Sequence, residues 1–353
     1  MLTNNVFANR LNLIPSTLWT KIAQIDELKG QWSAGIKLDR QVLTRLRRSV
    51  LVTSTGASTR IEGAQLSDAD IEKLMRGLAV QKFTDRDKQE VQGYYELLEN
   101  VFEAWPTIPL SESIIKYFHK ELLKYTDKDL LHRGEYKKVE NQVVMIDQVG
   151  QSVGTLFDTT PAYLTPKQMS ELVDWTSDQL TQASLHPLLL IAHFVVEFLN
   201  IHPFQDGNGR LSRILTNLLL LKSGYLYAPY VSHEKFIEDN KPDYYLALRR
   251  TQKTFQTPNE DLTPWLSFFL QVLLQQAQQA VTLLTDQHIE ALLSPLQVKV
   301  WHYLQQVTQA TPQQITQHTL VARPTVNQVL TKLLRLNKIE RLGLGRASRY
   351  RIL

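Results

Sequence analysis

Apolar residues recur at three- and four-residue spacing over most of the chain, with no long run of β-branched alternation, so the pattern predicts helices. Two stretches, Leu188–Ile201 and Leu211–Leu221, are apolar on nearly every face, which predicts central, buried helices. The main exception is Val139–Val153, where Val139, Val143, Val144, Ile146, Val149 and Val153 mix with polar residues between Gly134 and Gly154. That pattern predicts a β-hairpin or flap set among helices. Residues 160–166 read as a loop leading into a helix over Pro166–Ala183, and Trp265–His288 reads as one long, glutamine-rich amphipathic helix bridging two domains.

From Pro295 the order of elements changes. Helices are predicted over Pro295–Val307 and Pro312–His318, then a third opened by Arg323-Pro324, with proline at the first helical position. In that third helix Val326, Val329, Leu330, Leu333 and Leu336 form one face, and Thr325, Gln328, Lys332 and Arg335 the other. Ile339–Leu342 and Ser348–Ile352 alternate around Gly343-Leu344-Gly345, which predicts a hairpin. Three helices and a hairpin make a winged helix-turn-helix pattern, with the third helix as reader and Arg346 and Arg349 on the wing.

Composition sharpens this division. The chain has 353 residues, 43% of them apolar and 21% charged, the proportions of a folded protein of two or three domains. Its formal charge is only +4, but residues 294–353 hold nine basic residues and one acid, Glu340, so the tail carries +8 and the body −4. A basic tail on an acidic body points to a polyanion, with DNA through residues 323–351 as the candidate partner. A solvated basic face or a protein-docking module is the alternative. There is no cysteine, which excludes disulfides, thiol nucleophiles and Cys-zinc sites. No secretory signal pattern opens the chain, and neither apolar stretch reaches membrane-spanning length without interruption. A cytoplasmic protein with no membrane partner is expected.

The candidate chemistry lies between the two apolar helices, in Asn200-Ile201-His202-Pro203-Phe204-Gln205-Asp206-Gly207-Asn208-Gly209-Arg210-Leu211-Ser212-Arg213. Gly207 and Gly209 permit unusual backbone conformations where a loop enters a helix N-terminus, and free N–H groups there form an anion-binding nest. Arg210 and Arg213 oppose the helix dipole by about 0.3–1 kcal/mol each. Two such cations on a buried helix imply a multiply charged anion, and a polyphosphate suits the spacing. Asp206, beside it, would hold Mg²⁺ against phosphate oxygens. His202 is placed to take a proton from an incoming hydroxyl. Eight fixed positions make a chance match in a chain this long rarer than about one in ten million.

The segment His202–Arg213 resembles the signature of the Fic family, helical enzymes that transfer AMP from ATP to protein hydroxyl groups. Gly134-Glu135-Tyr136 and Asp243-Tyr244-Tyr245 are also placed as in that family, and the resemblance covers roughly residues 110–260. It implies His202 as general base, Phe204 as the loop's anchor in the core and Asp206 as the Mg²⁺ ligand. It also implies that Gly207, Asn208 and Gly209, with Leu211 and Ser212 in the following turn, cradle phosphates that Arg210 and Arg213 hold. Tyr245 and Gln252 would line the adenine pocket, with Asn240 a weaker candidate, and the flap would align a target segment by main-chain pairing.

Upstream, Ser58-Thr59-Arg60-Ile61-Glu62-Gly63 resembles the family's inhibitory helix. In that reading Glu62, a buried carboxylate, pairs with Arg213 when ATP is absent and denies the γ-phosphate its partner. The expected fold is mainly α, a Fic-type helical core with a β-hairpin flap plus a C-terminal winged helix-turn-helix (α+β) domain. Its parts are an N-terminal helical region (1–108), a catalytic core (109–264), a linker helix (265–293) and the basic domain (294–353). The expected function is an auto-inhibited protein adenylyltransferase acting on Ser, Thr or Tyr of a target or of itself. Alternatives are a de-AMPylase using Glu62 and a DNA-binding regulator whose site senses nucleotide. A metal hydrolase built on His193, Glu197 and His202 is the weakest reading, for want of a third ligand at zinc spacing. Oligomeric state stays open, although a homodimer interface covering Glu62 would be an economical regulator.

Overall fold

The computed structural model describes every residue except 1–6, 8–9, 12–13, 36–39, 78–84, 127–129, 147–151, 256, 337 and 344–347. The chain divides into two compact units, Met1–Val281 and Thr282–Leu353. The division falls inside the predicted bridge, which forms a helix over Thr263–Leu292.

The first unit is helical. In order it contains α1 (Ser16–Gly35), α2 (Arg40–Ile61), α3 (Asp68–Met75), α4 (Asp85–Ala104), α5 (Glu112–Leu122), a hairpin of β1 (Gln142–Ile146) and β2 (Ser152–Asp158), α6 (Thr165–Gln182), α7 (Pro187–Ile201), α8 (Asn208–Lys222), α9 (His233–Asp239) and α10 (Lys241–Gln252), before α11 (Thr263–Leu292). Local chemistry sets several of these starts. Ser67 and Asp70 form a reciprocal capping box on α3, and the Ser111 and Ser232 side chains accept from the third residues of α5 and α9. The hairpin is antiparallel, with Gln142 opposite Asp158 and Ile146 opposite Ser152. It starts three residues later and ends five later than the predicted 139–153, because Val139 is left exposed ahead of the first strand and the second continues through Thr155-Leu156-Phe157. Val149 lies outside the described residues.

The two continuously apolar stretches are α7 and α8, and from Leu188 to Leu221 their apolar side chains are at most 4% exposed. They pack on each other, with α6 against α7, while α2 runs against α4 and α9. One buried acid joins these layers. The Glu234 carboxylate of α9, fully buried, accepts hydrogen bonds from Ser54 Oγ of α2 (2.8 Å), Tyr94 Oη of α4 (3.1 Å), Asn217 Nδ2 of α8 (2.7 Å) and Ser232 Oγ (2.9 Å). Burial alone would raise its pKa, but the neighbouring His233 and these donors hold it below the usual carboxylate range. A charge so enclosed is tolerable only while its donors are in place.

The second unit carries α12 (Pro295–Gln305), α13 (Pro312–Thr319) and α14 (Arg323–Arg335), then an antiparallel pair, β3 (Ile339–Leu342) and β4 (Arg349–Ile352). Val326, Val329, Leu330 and Leu333 of α14 are buried against Val300, Trp301, Leu304 and Ile315. Gln328 and Arg335 face outward, whereas Thr325 and Lys332 are half-buried. Glu340, the lone acid of residues 294–353, pairs with Arg351 across the hairpin. Arg346 lies outside the described residues.

Replacing Glu234 with Ala strands four donors at once. At roughly 1 kcal/mol per stranded group the loss should reach about 4 kcal/mol, and the thermal midpoint should fall by about 8–16 °C. An unchanged midpoint in calorimetry would show that Glu234 does not join the layers.

Candidate active site

The loop between α7 and α8 is held from three sides. At its centre Phe204 is fully buried and stacks on the His119 ring at 3.8 Å, with Tyr136 tilted against it at 5.5 Å. His119 Nδ1 accepts from Gly134 N at 2.9 Å, so its proton resides on Nε2, which donates to the Asp206 carbonyl at 3.0 Å. Burial keeps this ring neutral, at a pKa of about 4. Within the loop, the Asn208 amide clasps Phe204, accepting from its N–H at 2.9 Å and donating to its carbonyl at 2.7 Å. From the base of the flap, Lys137 N donates to Pro203 O (2.8 Å), Lys137 Nζ to Ile201 O (3.1 Å) and Asn141 Nδ2 to Phe204 O (2.9 Å).

His202 ends α7 in the left-handed region, at φ 51°, which turns its side chain out of the helix. Nδ1 lies 3.3 Å from the Leu199 carbonyl, an oxygen that can only accept, so Nδ1 carries the proton and Nε2 keeps its lone pair. Burial lowers this imidazole's pKa to about 4, leaving it neutral near pH 7. The ring is therefore in the form and tautomer a general base needs.

At the start of α8, Gly207 has φ +80°, a conformation that only glycine adopts without strain. Gly209 does not: its φ is ordinary, and a Cβ there would fall 2.2 Å from Glu62 Oε1. The second glycine thus answers to close approach by the Glu62 side chain from the turn after α2, not to backbone freedom. Leu211 N makes the first intrahelical bond of α8, to Gly207 O at 2.9 Å, and Ser212 Oγ donates to Gly209 O at 2.8 Å. The amides ahead of Leu211 are those a helix N-terminus offers to an anion.

Both arginines already have protein counter-charges, which the inference from the helix dipole did not foresee. Arg210, 2% exposed, reaches Glu90 (2.9 Å) and Asp206 (3.1 Å), and Glu90 also accepts from Arg86 (2.7 Å). Asp206 is further met by Gly207 N (2.5 Å) and Arg86 (3.3 Å). Burial opposes its charge, but the Arg210 guanidinium and these donors hold its pKa below the ordinary value. Arg213, also 2% exposed, donates from Nε to Ser58 Oγ (2.7 Å) and from its NH2 nitrogen to Ser58 O (2.9 Å) and Glu62 Oε1 (2.7 Å). The Glu62 side chain is 33% exposed, so a half-open carboxylate satisfies the buried guanidinium, rather than the fully buried pair expected. Burial disfavours charge on Arg213, yet the Glu62 carboxylate outweighs it and raises the pKa further.

On α10, Tyr245 Oη donates to Ile61 O at 3.4 Å, which puts it beside the turn that carries Glu62. Gln252 is buried with neither amide atom partnered, whereas Asn240 donates locally to Phe236 O at 2.9 Å. His193 and Glu197 lie away from this chemistry: Glu197 pairs with Arg10, His193 Nε2 stands 3.6 Å from it, and no group of three or more potential metal ligands occurs among the described residues. His119, Glu90, Lys137 and Asn141 escaped the sequence reading. Only Gly134-Glu135-Tyr136 pointed toward them, since His119 and Glu90 sit on amphipathic helices where nothing in the spacing separates a supporting polar residue from a solvated one.

Residues 109–220 match the profile of the Fic/DOC family. The chain is 29% identical over 189 residues to the protein adenylyltransferase fic-1 of Caenorhabditis briggsae, covering 52% of this chain and 34% of that one. It is 29% identical over 143 residues to a probable protein adenylyltransferase of Aquifex aeolicus, covering 40% and 39%. The chain thus spans well under half the length of these curated relatives. Among solved structures, a Fic family protein from Desulfovibrio desulfuricans G20 superimposes with a TM-score of 0.63 at 26% identity, covering 97% of each chain. Fic-1 from Caenorhabditis elegans shares the fold, with a TM-score of 0.61 at 20% identity over 77% of this chain. With the signature loop, its supports and these matches in agreement, residues 109–220 form a Fic/DOC-family domain.

Proposed function

We propose that the protein is an adenylyltransferase that moves AMP from ATP to a Ser, Thr or Tyr hydroxyl of a protein, and that Glu62 restrains it. The observation that carries this reading is the neutral His202 with its free Nε2 on the loop that leads into α8, whose first turns hold Arg210 and Arg213. In the reaction the hydroxyl oxygen bonds to the α-phosphorus, its proton passes to His202 Nε2, and the bond from the α-phosphorus to the bridging oxygen breaks to release pyrophosphate. The first-turn amides of α8 and the two arginines position the phosphates, the main contribution a protein makes to such a transfer. Tyr245 and the unpartnered amide of Gln252 provide one wall of the base pocket.

Asp206 is the residue that would hold Mg²⁺. A lone carboxylate beside a phosphate site fits that ion, which is commonly bound through one or two carboxylates plus phosphate oxygens rather than a protein cage. Bound there, it would neutralise phosphate charge. Glu62, 2.7 Å from Arg213 and close over Gly209, occupies the ground a γ-phosphate would use. The same carboxylate could instead orient a water for removal of AMP.

A second activity is supported by the charge division. The +8 of residues 294–353 lies within the second unit, and the one acid of that segment, Glu340, is paired with Arg351, which favours duplex DNA as the partner.

His202→Ala should lower AMP transfer by about 10²-fold or more while ATP binding is largely kept. Unchanged labelling from radiolabelled ATP would sink the assignment. Glu62→Gly should raise auto-modification at least tenfold by mass spectrometry with ATP and Mg²⁺. Equal labelling would clear Glu62 as the brake, and loss of AMP release from a modified protein in the same mutant would favour removal as the main activity. In a gel-shift titration the full chain should bind duplex DNA with an affinity that falls steeply with salt, and an absent or flat salt dependence would leave the basic unit a protein-docking module.

A further inference from the structure

Glu62 does not lie within a helix. It stands in the turn after α2, where Glu62 N and Ala64 N both return to Thr59 O at 3.1 Å and Gly63 takes φ +107°. The pull of Arg213 on a side chain one-third exposed does not by itself order such a turn, because helix ends fray. Something must hold the turn.

Two residues earlier, Arg60 spans it. Its Nε donates to Glu238 Oε1 at 2.5 Å and its NH2 nitrogen to Glu238 Oε2 at 3.2 Å, a two-pronged grip on α9. Its NH1 nitrogen donates to Leu66 O at 2.8 Å and Asp68 Oδ1 at 3.0 Å, on the far side of the turn. Arg60 therefore closes the segment 61–67 like a strap and fixes it to α9. The cluster also leaves no room at Gly56, where a Cβ would lie 2.5 Å from both the Arg60 NH1 nitrogen and Asp68 Oδ1. Lys241 Nζ to Arg60 O and Tyr245 Oη to Ile61 O, each 3.4 Å, add weaker caps on the last carbonyls of α2. Burial opposes the charges of Arg60 and Glu238, yet each stabilises the other.

We propose that Arg60 is a positioning residue for Glu62: its grip on Glu238, Leu66 and Asp68 fixes the turn after α2 so that the Glu62 carboxylate stays on Arg213, and loosening that grip frees the nucleotide site. This rests on the reading of Glu62 as the brake. The strap is built to be breakable. The Arg60, Glu238 and Asp68 side chains are 21%, 18% and 41% exposed, and partly exposed ion pairs contribute modestly, enough to bias a two-state turn without locking it. A partner that supplied a carboxylate to Arg60, or a cation to Glu238, would release Glu62 without touching the catalytic loop.

The test uses the full chain with ATP and Mg²⁺, reading auto-modification by mass spectrometry, for Glu238→Gln, for Glu238→Gln with Asp68→Asn and for Arg60→Lys, each with Glu62 present and in a Glu62→Gly background. With Glu62 present, the double variant should label about tenfold faster than the unsubstituted chain. Glu238→Gln alone and Arg60→Lys, which keeps charge but loses the fork, should fall between. In the Glu62→Gly background all should lie within twofold of Glu62→Gly itself. A merely structural role predicts lower rates in both backgrounds, and that outcome, or rates unchanged with Glu62 present while Glu62→Gly is fast, overturns the proposal. If Glu62→Gly is itself no faster, the brake fails and the strap with it. Thermal midpoints show whether the double variant folds, and the mild Glu238→Gln decides the matter should it not.

Discussion

A guanidinium that is 2% exposed and rooted in the first turns of a helix must be given a counter-charge, and much of this site's arrangement follows from how Arg213 obtains one. Removing an arginine from water costs several kcal/mol unless charge and hydrogen bonds replace the solvent, and the positive end of α8 adds to the demand. Ser58 meets part of it through its hydroxyl and carbonyl. The remainder needs an anion, either Glu62 or a phosphate. In the proposed function the two would compete because they answer the same deficit, so restraint and substrate binding would be alternative solutions to one electrostatic problem.

This competition works only if the surroundings of Arg213 do not relax to find a third solution. Glu234 sees to that. By accepting from Ser54, Tyr94 and Asn217 it binds α2, α4 and α8 together, and Asn217 also donates to the Arg213 carbonyl at 3.2 Å. The body of α2 is thereby fixed from within the core, whereas its last turn depends on the partly exposed contacts of Arg60. Rigid support and adjustable end lie within one helix, seven residues apart along its sequence from Ser54 to Ile61. Local opening free energies are expected to differ along such an element, lowest where contacts face solvent.

How much of this could be read from residues alone differed by kind of signal. Periodicity located α7, α8 and the three helices of the basic unit, because their apolar faces are continuous and, in all but α8, their starts carry proline. The pairing of Glu62 with Arg213 was legible only through the resemblance, since the two are 151 positions apart and no local rule connects them. Gly209 was assigned to backbone freedom when its neighbour is the Glu62 carboxylate from the turn after α2, an error that spacing could not correct. His119 and Glu234 were missed for the same reason. Each is a polar residue buried by tertiary packing, and amphipathic patterning marks where apolar residues go inside without showing which polar ones follow them.

The charge of the chain closes the argument about where anions bind. The segment before residue 294 carries a net −4, so its long-range field repels a polyphosphate rather than drawing it to the site. Binding there must therefore come from short-range, desolvated contacts: the first-turn amides of α8 and two arginines whose water has already been removed. Such contacts are screened little by salt, because screening acts on exposed charges about a Debye length apart. The basic unit is the opposite case, with its excess spread along an outward surface where screening is strong. The two anion-binding regimes proposed for this chain would thus carry different ionic-strength signatures, and a salt series would separate them without any substitution.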